Sequence, residues 1–251
     1  MKKYEIYAFL VLLLGIGMMA YAGTKLIVTQ HIYEEGNAAY EVLSDRVRQS
    51  AALEYMTPAA ANTQIYIPKL TINFKALRAI NKDAVAWLYS PDTVIDYPVM
   101  QADDYSYYLD HLPDGAKNAN GSLFIDYNNA ADFSDQLTVI YGHSMKSKRM
   151  FGSLSGYKEQ SYYENNPFMY LYTEERNYRI ELIFGCVIGA GQWRERAFMY
   201  AENIKALLAY AEHNTTFISN VKYEDDDKIV ALSTCSYEFD DARYVLLGIL
   251  R

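Results

Sequence analysis

The chain has 251 residues, 51% hydrophobic and 22% charged, the balance of an ordinary folded protein long enough to bury a core. Its net charge of −8, with no basic face to neutralise phosphates, argues against a nucleic-acid partner. The 25 tyrosines favour β-structure and bring apolar area with polar tips, which suits half-exposed strand faces and binding grooves.

From Ile6 to Thr24 the chain is uncharged and mostly apolar. About 20 such residues span a bilayer as a helix, so residues 6–28 read as a transmembrane anchor. Lys2 and Lys3, in the short segment 1–5, precede it. The positive-inside rule keeps that end cytoplasmic and the remainder outside the cell. Ala20-Tyr21-Ala22 has the small-x-small form of a signal-peptide cleavage site, but the apolar run is long for a signal sequence, and the expectation is an uncleaved anchor. Residues 29–64 read as a helical stalk and linker. "NAAYEVLSDRVRQSAALEYM" sets Tyr40, Leu43, Val47 and Leu53 on one side of an exposed helix. Thr57-Pro58 ends it, and Ala59 to Thr63 is a linker.

The folded domain is expected over residues 65–251. It opens with a short helix from Asn73 to about Ile80. The strand "VAWLYS" follows, then a turn at Pro91-Asp92 and the strand "VIDYPVM". "GSLFIDYN" and "QLTVIYGH" are two more strands, and "NYRIELIFGCVIGA" gives one or two. "AENIKALLAYAEHN" is an amphipathic helix with Ile204, Leu207, Leu208 and Ala211 on one face. "KIVALSTC" and "RYVLLGIL" close the chain as strands. Seven to eight strands with few helices and mostly short loops imply a mostly β fold, a mixed or antiparallel barrel with added helices, one of them inserted before the cysteine strand.

Two cysteines stand in this exported chain. Cys186 lies within an apolar strand and reads as a small buried hydrophobe, which leaves Cys235 free at a strand exit. A thiol attacks as thiolate and needs a neighbouring base or cation. Of four histidines, His31 is in the stalk, His111 in a loop and His213 near the end of the amphipathic helix. His143 ends the strand "TVIYGH" as Cys235 ends its own, and Gly142 before it permits a tight backbone. Arg243 opens the strand after Cys235, so a hairpin would return its guanidinium beside the thiol to orient a carbonyl or hold an oxyanion. An ion pair with Asp240 or Asp241 is the alternative. The acidic run Tyr223 to Lys228 lacks the alternation and glycine of an EF-hand and reads as a solvated turn. No CxxC, HExxH, phosphate loop or GxSxG occurs, so neither a metal nor another cofactor is expected.

"ALSTC" followed by an arginine opening the next strand resembles the signature of sortases, usually T-L-x-T-C with a downstream arginine. "VIYGHSM" is similar to their histidine segment. "WLYSPDTVIDYPVMQADDYSYYLDH", "GSLFIDYNN", "YGHSMKSKRMFGSL" and the helix Glu202 to Asn214 look like class B sortases in particular. The likeness runs from about Ile65 to the end, and it departs from the pattern at Ala231, where threonine is usual. The resemblance implies a closed sortase-like barrel. It makes Cys235 the nucleophile, His143 the general acid/base and Arg243 the substrate-orienting or oxyanion-stabilising residue, with Ser233 and Thr234 lining the groove. The implied reaction is transpeptidation through a thioacyl enzyme. The donor would be a secreted protein with a C-terminal sorting motif, and the acceptor an amine of peptidoglycan or its lipid-linked precursor. A membrane-anchored cysteine peptidase that only hydrolyses, and a non-catalytic wall-binding module, are the alternatives.

Overall fold

A computed structural model describes residues 3–50, 70–198 and 203–251. Helix α1 (Lys3–Val47) runs unbroken from the apolar segment onto the folded domain. Its apolar side chains from Phe9 to Val28 face outward and pack against nothing in the protein. Residues 6–28 measure about 35 Å as a helix, enough for a hydrocarbon core of about 30 Å. Among the described residues it is the one helix long and apolar enough to cross a membrane.

The second half of α1 is not the exposed stalk that its polarity suggests. Gly36, Tyr40, Leu43 and Val47 form a buried stripe at helical spacing against the domain. Tyr40 Oη donates to the Gly121 carbonyl at 2.5 Å, and the amides of Asn118 and Asn120 donate to the carbonyls of Ile32 and Tyr33 at 2.8 and 3.2 Å. Gly36 is required by this approach, because a Cβ there would stand 2.4 Å from Asn120 Nδ2. Leu53, Thr57-Pro58 and the 59–63 linker lie outside the described residues.

A short antiparallel ribbon, β1 (Arg48–Ser50) with β2 (Leu70–Ile72), leads into α2 (Phe74–Ile80). Asn73 caps α2 by accepting from the Ala76 N–H at 2.9 Å. The barrel strands are β3 (Ala84–Tyr89), β4 (Asp96–Met100), β5 (Leu123–Ile125), β6 (Leu137–Tyr141), β7 (Phe168–Tyr172), β8 (Asn177–Gly189), β9 (Ile229–Cys235) and β10 (Ala242–Leu250). A 3-10 segment, Phe151–Lys158, and α3 (Gln160–Asn165) link β6 to β7. Helices α4 (Ala190–Phe198) and α5 (Asn203–His213) link β8 to β9.

The barrel closes in the order β10-β8-β7-β3-β4-β5-β6-β9. Its pairs are antiparallel except β4 with β5 and β6 with β9, so the sheet is mixed. The expected mostly β closed barrel is therefore present. Its eighth strand is β7, which the sequence reading passed over, and the long run 177–189 is one strand rather than two. β1, β2 and α4 were likewise not anticipated.

Alternation divides the strands into two faces. Ile140, Val230, Leu232 and Leu246 point inward with Leu88, Val99, Leu171 and Leu182 to fill the barrel. Val139, Ile229, Ala231, Val245 and Leu247 point outward and are covered by Trp193 of α4 and by Leu207, Leu208 and Ala211 of α5. Each such buried leucine stabilises the fold by about 1.5–3 kcal/mol, so the inserted helices are fastened to the outer face of β9 and β10. That is the face on which the thiol emerges.

Candidate active site

Strand β9 carries Cys235 at its last position, between β6 and β10. The parallel register sets Tyr141 beside Ser233. His143 is two residues beyond Tyr141, and Cys235 two beyond Ser233, so the two are level at neighbouring strand ends. The pairing persists past the last regular bridge: the Gly142 N–H donates to the Ser233 carbonyl at 3.2 Å, and Thr234 Oγ1 donates to the Gly142 carbonyl at 2.7 Å. On the other side Arg243 is the direct cross-strand partner of Cys235. Imidazole, thiol and guanidinium thus stand in a row across three adjacent strands, spaced by the ordinary strand separation of about 4.8 Å. Because side chains repeat every two residues, Cys235 shares the outward face of Ala231 and Ser233.

The three residues line one cleft of about 400 Å³ with Tyr105, Phe124, Tyr141 and, from α4, Trp193 and Arg194. It opens on the barrel's flank beside α4. Arg194 lies over the Tyr105 ring at 5.0 Å. The phenols of Tyr105 and Tyr141 donate to the two oxygens of buried Asp126, at 3.4 and 3.0 Å. Burial and that carboxylate push the Tyr105 phenol up to about 12 and raise Tyr141 as well, so both walls are neutral hydrogen-bond donors.

Cys235 is free and exposed, whereas Cys186 is buried, and burial pushes the Cys186 thiol up to about 12. His143 is half-buried, with Nε2 2.5 Å from the Leu109 carbonyl. A carbonyl can only accept, so Nε2 carries a proton and Nδ1 is the nitrogen free to exchange one. Gly142 is required by packing rather than by backbone conformation: a Cβ would meet Leu123 and Phe151 side chains at 2.5 and 2.7 Å. Arg243 donates to the Ala242 carbonyl at 3.0 Å. It pairs with no carboxylate among the described residues, so the alternative of an ion pair to Asp240 or Asp241 is not what the fold adopts.

A stretch of 240 residues is 31% identical to Sortase B of Listeria monocytogenes, covering 94% of this chain and 93% of that protein. The chain belongs to the sortase B family. Solved relatives agree in fold: Clostridium perfringens sortase B is 28% identical, with a TM-score of 0.66 over 71% of this chain and 99% of that one. Staphylococcus aureus sortase B, solved as a substrate complex, is 26% identical, with a TM-score of 0.66 over 71% of this chain and 84% of that one. The same S. aureus protein has been solved with triglycine, at equal identity and TM-score. No protein-family model matches the chain.

This sortase is a cysteine transpeptidase, and its four histidines separate cleanly by position. His143 lines the cleft. His31 contacts Glu35 on α1 at 3.3 Å, His111 stacks on Tyr107 with ring centroids 4.1 Å apart, and His213 ends α5. Ser233 and Thr234 also line the cleft and are buried. The Thr234 hydroxyl is committed to Gly142, so it ties the cysteine strand to the histidine strand. Ser233 Oγ and Trp193 Nε1 are buried without a partner. Ala231, the departure from the usual threonine, lies fully buried in the apolar layer under α5, where a hydroxyl would need a partner. Leu109, Trp193 and Arg194 were missed in the sequence. The first acts through its backbone, and the other two sit on a helix whose periodicity is interrupted by charge.

Proposed function

We propose that this sortase is a single-pass membrane enzyme that cleaves a C-terminal sorting motif of secreted proteins and transfers the acyl group to an amine of peptidoglycan or its lipid-linked precursor. Residues 1–5 are then cytoplasmic, 6–28 the anchor, 29–64 the connection and 65–251 the catalytic domain outside the cell. The apolar, outward-facing first half of α1 supports the anchor, and Lys2 and Lys3 support its orientation. The S. aureus relatives bound to substrate and to triglycine support a peptide donor and an amine acceptor.

The observation that carries this reading is the register of β6, β9 and β10, which lines up His143, Cys235 and Arg243 on one open cleft. Cys235 Sγ attacks the scissile carbonyl as thiolate. Arg243 holds the oxyanion that develops. Nδ1 of His143 delivers its proton to the leaving amine, while the Leu109 carbonyl keeps the ring oriented through Nε2. The thioester is then resolved by an incoming amine, whose attack outruns water by proximity. Ser233 and Thr234 belong to the same wall of the donor cleft.

The test is product analysis with the full chain in detergent micelles and a panel of sorting-motif peptides, with and without added triglycine. The expected result is cleavage of one motif class, with triglycine converting most of the product from free acid to amide. Cleavage whose products ignore the amine would make the protein a hydrolytic peptidase and overturn the proposal.

A further inference from the structure

A second groove, of about 480 Å³, meets the first at Thr234 and Cys235. Its chemistry is different. Lys146 and Lys148 come from the segment after His143, Lys158 from the end of the 3-10 segment, and Ser236 and Glu238 from the turn after the thiol. Lys158 donates to Ser236 Oγ at 3.0 Å and pairs with Glu238, and Ser236 Oγ donates to Glu238 at 2.5 Å. Burial works against Glu238 ionisation, but the hydrogen bonds from Lys158 and Ser236 overcome it and hold the carboxyl down at about 2. That network fixes one wall. Lys148 reaches only a neutral hydroxyl, Ser155 Oγ at 2.8 Å. Lys146 is exposed and forms no ion pair among the described residues. Three ammonium groups against one carboxylate leave this groove two positive charges in excess, in a chain whose net charge is −8.

We propose that this groove receives the acyl acceptor, and that the acceptor carries anionic groups, carboxylate or phosphate, beside its amine. The inference rests on the thioester reading above and deepens it. The aromatic cleft holds Arg243 and the donor peptide, so an occupied donor cleft leaves the thioester carbon open from the lysine side. Excess ammonium charge there repels a simple cationic amine and attracts one bearing compensating anions. It also disfavours the acceptor's protonated form, which cannot attack. The C–N bond forms as the C–S bond breaks, and one amine proton passes through His143 to the departing sulfur. The carboxylates of a wall peptide and the diphosphate of a lipid-linked precursor offer the same chemistry.

The experiment uses the full chain in micelles, acetylated on Cys235 by p-nitrophenyl acetate, so that no sorting motif need be known. Deacylation rates are compared for triglycine against triglycine amide and for O-phosphoethanolamine against ethanolamine, each normalised to the free-amine fraction. At low salt the anionic member of each pair is expected to react about fivefold faster, falling towards parity in about 0.5 M salt as screening sets in. The Lys146→Gln/Lys148→Gln double variant is expected to lose the preference at low salt. The pair with the larger ratio tells phosphate from carboxylate. Equal rates within both pairs, or a preference retained by the double variant, would overturn the acceptor assignment while leaving the thioester intact. Absence of a p-nitrophenolate burst that depends on Cys235 would instead remove the thioester reading, and this inference with it.

Discussion

Cys235→Ala is expected to abolish peptide cleavage, lowering turnover at least about 10⁴-fold. The sulfur is the one atom among those lining the cleft that is placed to form a covalent acyl intermediate, and nothing else on the outward face of β9 can replace it. Ser233 lies on the same face, but its hydroxyl is buried beneath the cleft wall. The fold should be untouched, since the Cys235 side chain is exposed and forms no disulfide. The melting temperature therefore stays within about 2 °C of the wild type's, because an exposed side chain costs at most about 0.5 kcal/mol to replace. A variant retaining a tenth of wild-type cleavage by chromatographic assay would place the chemistry elsewhere.

His143→Ala is expected to cost about 10³-fold in kcat/KM, the middle of the range for a lost general acid/base. The imidazole stands level with the thiol because β6 and β9 run parallel with Tyr141 beside Ser233. Its ring is aimed by the Leu109 carbonyl. Without it the thiol keeps its proton and the leaving amine receives none. The two losses should not add, because both groups serve one step: His143→Ala in a Cys235→Ala background should cause no further fall. His213→Ala, at the end of α5 and away from the cleft, should stay within about twofold of wild type. Equal losses from His143→Ala and His213→Ala would show that charge, not position, matters.

The parts of this site that sequence could expose are those written as local pattern. "KIVALSTC" reads as a strand ending in a thiol, and "TVIYGH" as a strand ending in an imidazole. The hairpin from Cys235 back to Arg243 needs only a short turn, and their pairing is direct. The parallel register of β6 with β9 could not be read locally, because β7, β8 and three helices intervene between the two strands. Strand β7 hid in "FMYLY", where both faces are buried and no polar alternation marks the period. The docking of α1 hid for the opposite reason. Its buried stripe is narrow and includes Gly36, and the surrounding glutamates make the helix look solvated. The second groove depends on Lys146, Lys148, Lys158 and Glu238, which meet only after the barrel closes.

Whether Cys235 carries the acyl group between the donor peptide and the acceptor amine is tested most directly by intact-mass measurement after rapid acid quench of enzyme with a cleaved peptide. The expected result is an adduct equal to the N-terminal peptide fragment less one water, mapped to the segment containing Cys235 and discharged by hydroxylamine. Steady turnover with no such adduct, or an adduct on any other residue, would contradict it.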